Sequence, residues 1–399
     1  MAHSGEIMQC LDKKEAEMLD LLERLVNIDS GTYLKEGVNQ IANIIIPKLH
    51  ELGFEVERFP QADFGDHLLA RKGGTSPKRL LCICHMDTVF PEGEAKRRPF
   101  RIEGHKAYGP GVLDMKGGIV VLLHSLYALM EADPGLYQAL DLTLLFNSEE
   151  EILSPTSTPY IIREARAADT VCVFEPARPK GQVVIKRKGA GKYCLTVHGK
   201  AAHAGAQPEL GVSAIEELAR IILEFHALND LEGGLTVNVG VVRGGIRSNI
   251  IAEHAYAEID VRAVDQVQID RIQQESDRIC RPHREGIRME LTGGIAFPPM
   301  LKTERSLDLL RLVREAGREL GVDIDEIPTG GGSDGNHASH YAPTIDGLGP
   351  QGTGAHSSDE TLIVPTLLER SKVFALFIGK WHQSFAPKEN YPKGLPVLQ

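Results

Sequence analysis

The sequence predicts an α/β protein: a larger domain on a mostly parallel sheet flanked by helices, with a smaller α+β domain inserted into it. Three observations predict this. Between residues 54 and 174 short apolar runs alternate with helical stretches, the pattern of parallel strands joined by helices. After Lys188 the order becomes strand–helix–strand–strand–helix–strand, which suits a small sheet with two helices laid on it. Beyond Pro298 and Pro299 helical spacing returns, so the second pattern interrupts the first. The expected boundaries are residues 1–188 and 298–399 for the larger domain and 189–297 for the insert.

The elements follow in order. Leu19, Leu22 and Val26 recur at helical spacing. A second helix over 37–52 stops at Gly53, a C′ glycine. Strands are expected over 54–59, 67–70 and 80–84. The last is apolar and bounded by polar residues, as in a buried strand. The apolar-rich stretch 115–132 reads as a helix, 140–146 as a strand, 160–168 as a helix and 170–174 as a strand. In the insert, 193–197, 235–242, 255–261 and 288–291 read as strands, and 212–228 and 266–281 as helices. Gly293, Gly294, Pro298 and Pro299 punctuate its end, and Leu307, Leu310 and Val313 open another helix face.

Composition narrows the function. With 399 residues, 42% hydrophobic and 25% charged, the chain has an ordinary globular mix rather than a disordered one. A formal charge of −11 argues against a nucleic-acid partner, which usually leaves a basic footprint. No uninterrupted apolar run approaches the ~20 residues of a membrane span. The first residues lack the apolar core of a signal peptide, so the expected location is cytoplasmic. Six cysteines are scattered. Cys82 and Cys84 share a strand face but have no second pair to complete a thiolate zinc site. They read as small buried residues, with a free reactive thiol as the rival. Residues 330–332 are three glycines, but no Gly-Lys-Ser/Thr follows to make a phosphate loop. Lys96-Arg97-Arg98 and Lys186-Arg187-Lys188 read as solvated faces, with docking of an acidic substrate as the alternative.

Ligand-type residues gather at the ends of the expected strands. His85 and Asp87 follow 80–84. Glu149, Glu150 and Glu151 follow 140–146, Glu175 follows 170–174, and Asp114 opens the long helix. Open α/β sheets bind ligands beyond the carboxyl ends of their strands. Any one of these residues alone reads as a solvated turn; all of them together do not. Imidazole and carboxylate without thiolate suit zinc, cobalt or manganese. Crowded carboxylates repel one another unless a cation holds them.

The motifs themselves carry a resemblance. His85-Met86-Asp87-Thr88-Val89, Gly109-Pro110-Gly111-Val112-Leu113-Asp114-Met115-Lys116-Gly117-Gly118 and Phe146-Asn147-Ser148-Glu149-Glu150-Glu151 resemble three signatures of the two-zinc carboxypeptidase and aminoacylase family. Phe174-Glu175-Pro176, His203-Ala204-Gly205, Gly330-Gly331-Gly332-Ser333-Asp334 and Gly354-Ala355-His356 resemble further segments, in the same order. Ala202-His203-Ala204-Gly205 and Pro208-Glu209-Leu210-Gly211-Val212 most resemble the bacterial glutamate carboxypeptidase (carboxypeptidase G) branch.

The resemblance implies that the larger domain is catalytic and that the insert is a dimerisation and lid domain. It implies that Asp114 bridges two zinc ions, with His85 and Glu175 on one and Glu151 and His356 on the other; cobalt or manganese are the alternatives. Glu150 is the implied general base and Asp87 the residue that orients His85. A slip of one residue along Glu149-Glu150-Glu151 would reassign base and ligand, and the sequence alone has no chemical veto. His203 is implied to polarise the scissile carbonyl from the partner of a homodimer, against the plain reading of a loop histidine that hydrogen-bonds locally. Asn249 and Arg262 are implied to hold the substrate carboxylate. A salt bridge from Arg262 to Asp260 is the rival, and Arg247 is a further candidate. The peptide bond after Asp114 is expected to be cis.

The implied activity is hydrolysis of an amide beside a free carboxylate, on N-acyl or peptidyl acidic amino acids. Two alternatives stand beside it. One is a deacylase of a biosynthetic N-acyl amino acid, of the acetylornithine or succinyl-diaminopimelate type. The other is a metal-dependent binding protein without catalysis. Residues 293–297 depart from the glutamate carboxypeptidase pattern by lacking an Arg, which bears on side-chain preference.

Overall fold

The computed structural model describes residues 4–387, which divide into two units. The first comprises residues 4–186, 300–328 and 333–387, and the second 187–299 with 329–332. The chain therefore changes unit at Arg187 and Met300, close to the expected boundaries. The four residues 329–332 group with the insert rather than with the larger domain as expected. The reason is local: the Arg187 guanidinium donates to the Gly331 and Gly332 carbonyls at 3.1 and 3.2 Å.

The first unit is built on a six-stranded sheet in the order Glu55–Phe59, His67–Lys72, Asp141–Asn147, Arg79–His85, Thr170–Val173, Thr344–Ile345. The last four strands run parallel, and the first two pair antiparallel at one edge. The parallel strands are buried along nearly their whole length, which is why they read as continuous apolar runs without alternation. Helices Glu15–Val26, Lys35–Glu51, Gly117–Ala132, Glu304–Glu319 and Val364–Ser384 pack their apolar residues into the core cluster of this unit.

The segment Val112–Ala132 is long and apolar enough to cross a membrane, with mean hydropathy 1.5. It does not need one, because 89% of that window is buried inside the protein. Two glycines at its start let it pack closely. A Cβ on Gly118 would lie 2.2 Å from the Phe174 carbonyl oxygen, and one on Gly117 2.6 Å from Leu362. Gly349 approaches the same backbone, where a Cβ would meet the Glu175 carbonyl oxygen at 2.8 Å. The Phe174–Glu175 backbone is thus flanked closely at two glycine positions, which fixes where Glu175 begins.

A second sheet in this unit escaped the sequence reading. It joins the short strands Gly352–Thr353, Thr361–Ile363, Lys106–Tyr108 and Arg101–Glu103. Leu362 lies opposite Ala107, so the hairpin carrying residues 354–360 is held beside the chain that leads into Gly109.

The second unit is an antiparallel sheet in the order Arg288–Phe297, Gly189–His198, His254–Ala263, Thr236–Gly244. Helices Ala214–His226 and Gln266–Ile279 cover one face. Tyr193, Leu195 and Val197 alternate inward against Leu218, Ile221, Phe225 and Ile272, the period-two pattern of a sheet buried on one side. Its last strand runs past the expected stop at Gly293. Gly293 takes φ 88°, which leaves the backbone room to pass Lys192; a Cβ there would meet the Lys192 carbonyl oxygen at 2.2 Å. The glycines read as punctuation are therefore part of a strand, with a register shift between Ile295 and Phe297.

Candidate metal centre

The parallel strands bring the donors to one level. His85 ends its strand opposite Asn147, and Ile83 lies opposite Val173, so His85, the turn after Asn147 and Glu175 leave the sheet side by side. Asp114 comes from an irregular turn, Val112–Lys116, whose Asp114–Met115 peptide bond is cis. His356 comes from the hairpin of the second sheet. It sits at φ 63°, a left-handed conformation that a non-glycine residue adopts at a cost and that clusters at functional sites.

The Asp114 carboxylate faces both imidazoles. Its Oδ1 is 3.2 Å from His85 Nε2 and its Oδ2 3.3 Å from His356 Nε2. Glu175 Oε1 is 3.6 Å from His85 Nε2, and Glu151 Oε2 is 3.0 Å from His356 Nε2. Donors bound to one zinc ion at about 2.0–2.1 Å in a tetrahedron are about 3.3 Å apart. The observed separations fit that spacing on both sides of Asp114. Among the described residues, two triads have donor atoms within 4.8 Å of one another: His85 with Asp114 and Glu151, and His85 with Glu150 and Glu175. By distance alone, Glu150 also qualifies as a donor.

The electrostatics also fit a cation. Burial, then the charge of Glu175, pushes Glu150 well above the usual carboxylate range. Burial also raises Glu151. Burial opposes the charge on Asp114, yet hydrogen bonds from His356 and His85 hold it below its usual range. Those bonds, with Glu151, lift His356 to about 10. Burial disfavours the charged form of His85, but Asp114 and Asp87 hold it well above its ordinary value. Four carboxylates thus compete for positive charge in a desolvated space. Glu151 Oε1 is buried without a hydrogen-bond partner, as a metal-facing oxygen would be.

Asp87 ties the site together more broadly than its spacing from His85 suggested. Its Oδ1 is 3.3 Å from His85 Nδ1, whose hydrogen-bond partner is the Asp87 backbone carbonyl at 3.1 Å. The same carboxylate accepts from the Glu150 and Glu151 amides at 3.1 and 3.3 Å and from the Thr32 hydroxyl at 2.7 Å. Glu149 turns away. Its Oε1 accepts from the Thr156 and Ser157 amides and the Ser157 hydroxyl at 3.2, 2.8 and 2.7 Å, so it braces its own loop. This geometry favours the register that puts Glu150 and Glu151 at the cluster.

Three residues that the sequence reading did not assign belong to the framework. Thr32 offers no local signal, being 55 residues from Asp87. Asp334 is buried and accepts from Asn147 at 2.7 Å and Ser154 at 2.5 Å, and burial raises it to about 7. Glu360 accepts three backbone amides of the Asp114 turn.

The remaining predicted residues lie in the second unit. His203 Nδ1 accepts from the Gly205 and Ala206 amides at 3.2 and 3.1 Å. The imidazole proton therefore sits on Nε2, which is left to donate. The Ala204 amide donates to the Asn249 carbonyl at 3.0 Å, which brings His203 and Asn249 to one turn. Arg262 is not with them. It lies near the far end of the strand His254–Ala263, roughly 25 Å along it at 3.3 Å per residue. Its Nε and Nη2 hold Asp260 at 3.1 and 3.0 Å, so the rival reading of a salt bridge describes its contact here. Within a single chain, Asn249 and Arg262 are therefore not side by side.

An α/β sheet with imidazole and carboxylate donors at its carboxyl edge is a framework suited to holding metal ions. The profile of Peptidase family M20/M25/M40 matches residues 81–380, and the chain belongs to that family of metallopeptidases. It is 35% identical to carboxypeptidase G2 of Pseudomonas sp. strain RS-16 over 88% of this chain and 86% of that protein. It is 27% identical to succinyl-diaminopimelate desuccinylase of Delftia acidovorans, over 87% and 93%. The fold matches the M20 metallo-carboxypeptidase Sso-CP2 of Sulfolobus solfataricus, with TM-score 0.75, 19% identity, and 92% and 99% coverage. It also matches YXEP of Bacillus subtilis, a dinuclear metal-binding peptidase, with TM-score 0.67, 15% identity, and 94% and 100% coverage.

Proposed function

We propose that this protein is a dizinc hydrolase that cleaves an amide next to a free carboxylate, on N-acyl or short peptidyl acidic amino acids. The observation that carries the reading is Asp114, whose two oxygens each face a different imidazole between flanking glutamates. His85, Asp114 and Glu175 would hold one ion, and Asp114, Glu151 and His356 the other. Zinc suits this donor set; cobalt and manganese accept it too. When bound, the ions supply Lewis acidity and make a water molecule easier to deprotonate.

The chain's own residues do the rest. Glu150 takes a proton from the attacking water and returns it to the departing nitrogen. Burial and Glu175 push Glu150 toward the protonated form, while bound cations push it back, leaving a carboxyl able to do both. Asp87 keeps His85, Glu150 and Glu151 in register. His203 donates from Nε2 to the carbonyl oxygen as charge develops there.

The strand-length gap between Asn249 and Arg262 favours a dimer in which one copy completes the other's site. Exposed apolar residues of the second unit support this reading. Thr236–Gly244 is an edge strand, and Val242, Leu223 and Ile246 are 54, 73 and 81% exposed. The relatives favour two substrate classes, so the leaving amino acid is the point to test. In a panel of N-acyl amino acids, release is expected to be fastest with glutamate and aspartate. Faster release of diaminopimelate or ornithine from their N-acyl forms would replace this reading with the biosynthetic deacylase.

A further inference from the structure

We propose that Glu360 is a positioning residue that sets the distance between Asp114 and His356, and thereby the affinity of one of the two metal sites. The inference rests on the dinuclear reading above. Glu360 is fully buried. Its Oε2 accepts from the Gly111 amide at 2.8 Å, and its Oε1 accepts from the Leu113 and Asp114 amides, both at 2.9 Å. Three donors on one carboxylate hold the backbone of the Asp114 turn directly, at the residue whose side chain faces both imidazoles.

The other end of the clamp is equally fixed. Glu360 lies four residues after His356 on the same hairpin. That hairpin is closed on itself. The Ser357 amide and hydroxyl donate to the Gly354 carbonyl at 3.0 and 2.7 Å, and the Glu360 amide donates to the Ser357 carbonyl at 3.3 Å. Gly354, at φ 76°, lies so close that a Cβ would meet the Asp359 carbonyl oxygen at 2.6 Å. The His356 backbone therefore cannot move away from the Asp114 turn without breaking either this turn or the three bonds to Glu360. The 3.3 Å between His356 Nε2 and Asp114 Oδ2 is the separation this clamp maintains. His85 and Glu175, by contrast, are carried by the ends of parallel strands. The site made by Asp114, Glu151 and His356 should depend on Glu360, and the site with His85 and Glu175 much less.

The test is calorimetric titration of the metal-stripped full-length protein with zinc, for the wild type, Glu360→Gln, His356→Ala and the double variant. Glu360→Gln keeps the shape but turns an NH2 group toward a backbone amide. One binding step is expected to weaken by about 10–100-fold, the usual effect of losing an outer partner, while the other changes little. In the His356→Ala background the same change should have almost no further effect, because the affected site is already gone. Equal weakening of both steps, no weakening, or an undiminished effect without His356 would overturn the clamp. If Glu360→Gln does not fold, Glu360→Asp takes its place. It keeps both acceptor oxygens, and the same selective weakening is required of it. A wild type that binds a single ion would overturn the dinuclear reading and the clamp together; a two-site wild type with an indifferent Glu360 would overturn the clamp alone.

Discussion

Replacing Glu150 by Gln is expected to lower kcat by about 100- to 10,000-fold while both metal sites still fill. The substitution keeps volume and burial but removes the only proton carrier proposed for the reaction. Water attack then lacks a base, and the leaving nitrogen lacks a donor. Metal binding should survive, because the Asp114 carboxylate, both imidazoles, Glu151 and Glu175 are all retained. The His85–Glu150–Glu175 triad offers a competing role for Glu150 as a ligand, and the two roles separate in this variant. Steady-state kinetics paired with metal content decides between them. Full stoichiometry with lost turnover supports the base; loss of one ion would move Glu150 into the ligand set.

Mixing Glu150→Gln subunits with His203→Ala subunits is expected to restore about a quarter of wild-type activity after subunit exchange. Each parent should be nearly inactive. Half of the dimers at equal mixing are hybrids, and in each hybrid one site has an intact Glu150 facing an intact His203 from the other copy. If His203 serves its own subunit, every site in the hybrid lacks one group and nothing returns. The tautomer supports the role: two amides occupy Nδ1, so His203 presents an N–H donor rather than an acceptor.

Much of this was legible in the sequence because parallel strands export their ends. His85, Glu150, Glu151 and Glu175 follow buried apolar runs, and a parallel sheet puts such residues on one edge whatever the loops do. Asp114 was legible as the residue that opens the long helix, and His356 only through motif resemblance. The sheet that carries the His356 hairpin has strands of two or three residues, too short to show any period. Thr32 and Glu360 left no trace. One is remote in sequence from Asp87, and the other ends a polar run that reads as a solvated turn. The strand through Gly293 was hidden for a different reason: glycine signals a break locally, while a tight approach to Lys192 demands it within the sheet. Arg262 shows the limit of spacing rules, since a shared strand face with Asp260 permits both a salt bridge and a ligand role, and the structure realises the first.

Two metal ions held about Asp114 are expected to make this chain an amide hydrolase. The most direct measurement is release of glutamate from an N-acyl glutamate by chelator-stripped protein titrated with zinc. Activity absent without metal and rising to a plateau at two equivalents per chain is the predicted result. A plateau at one equivalent, or hydrolysis that persists in the stripped protein, would contradict it.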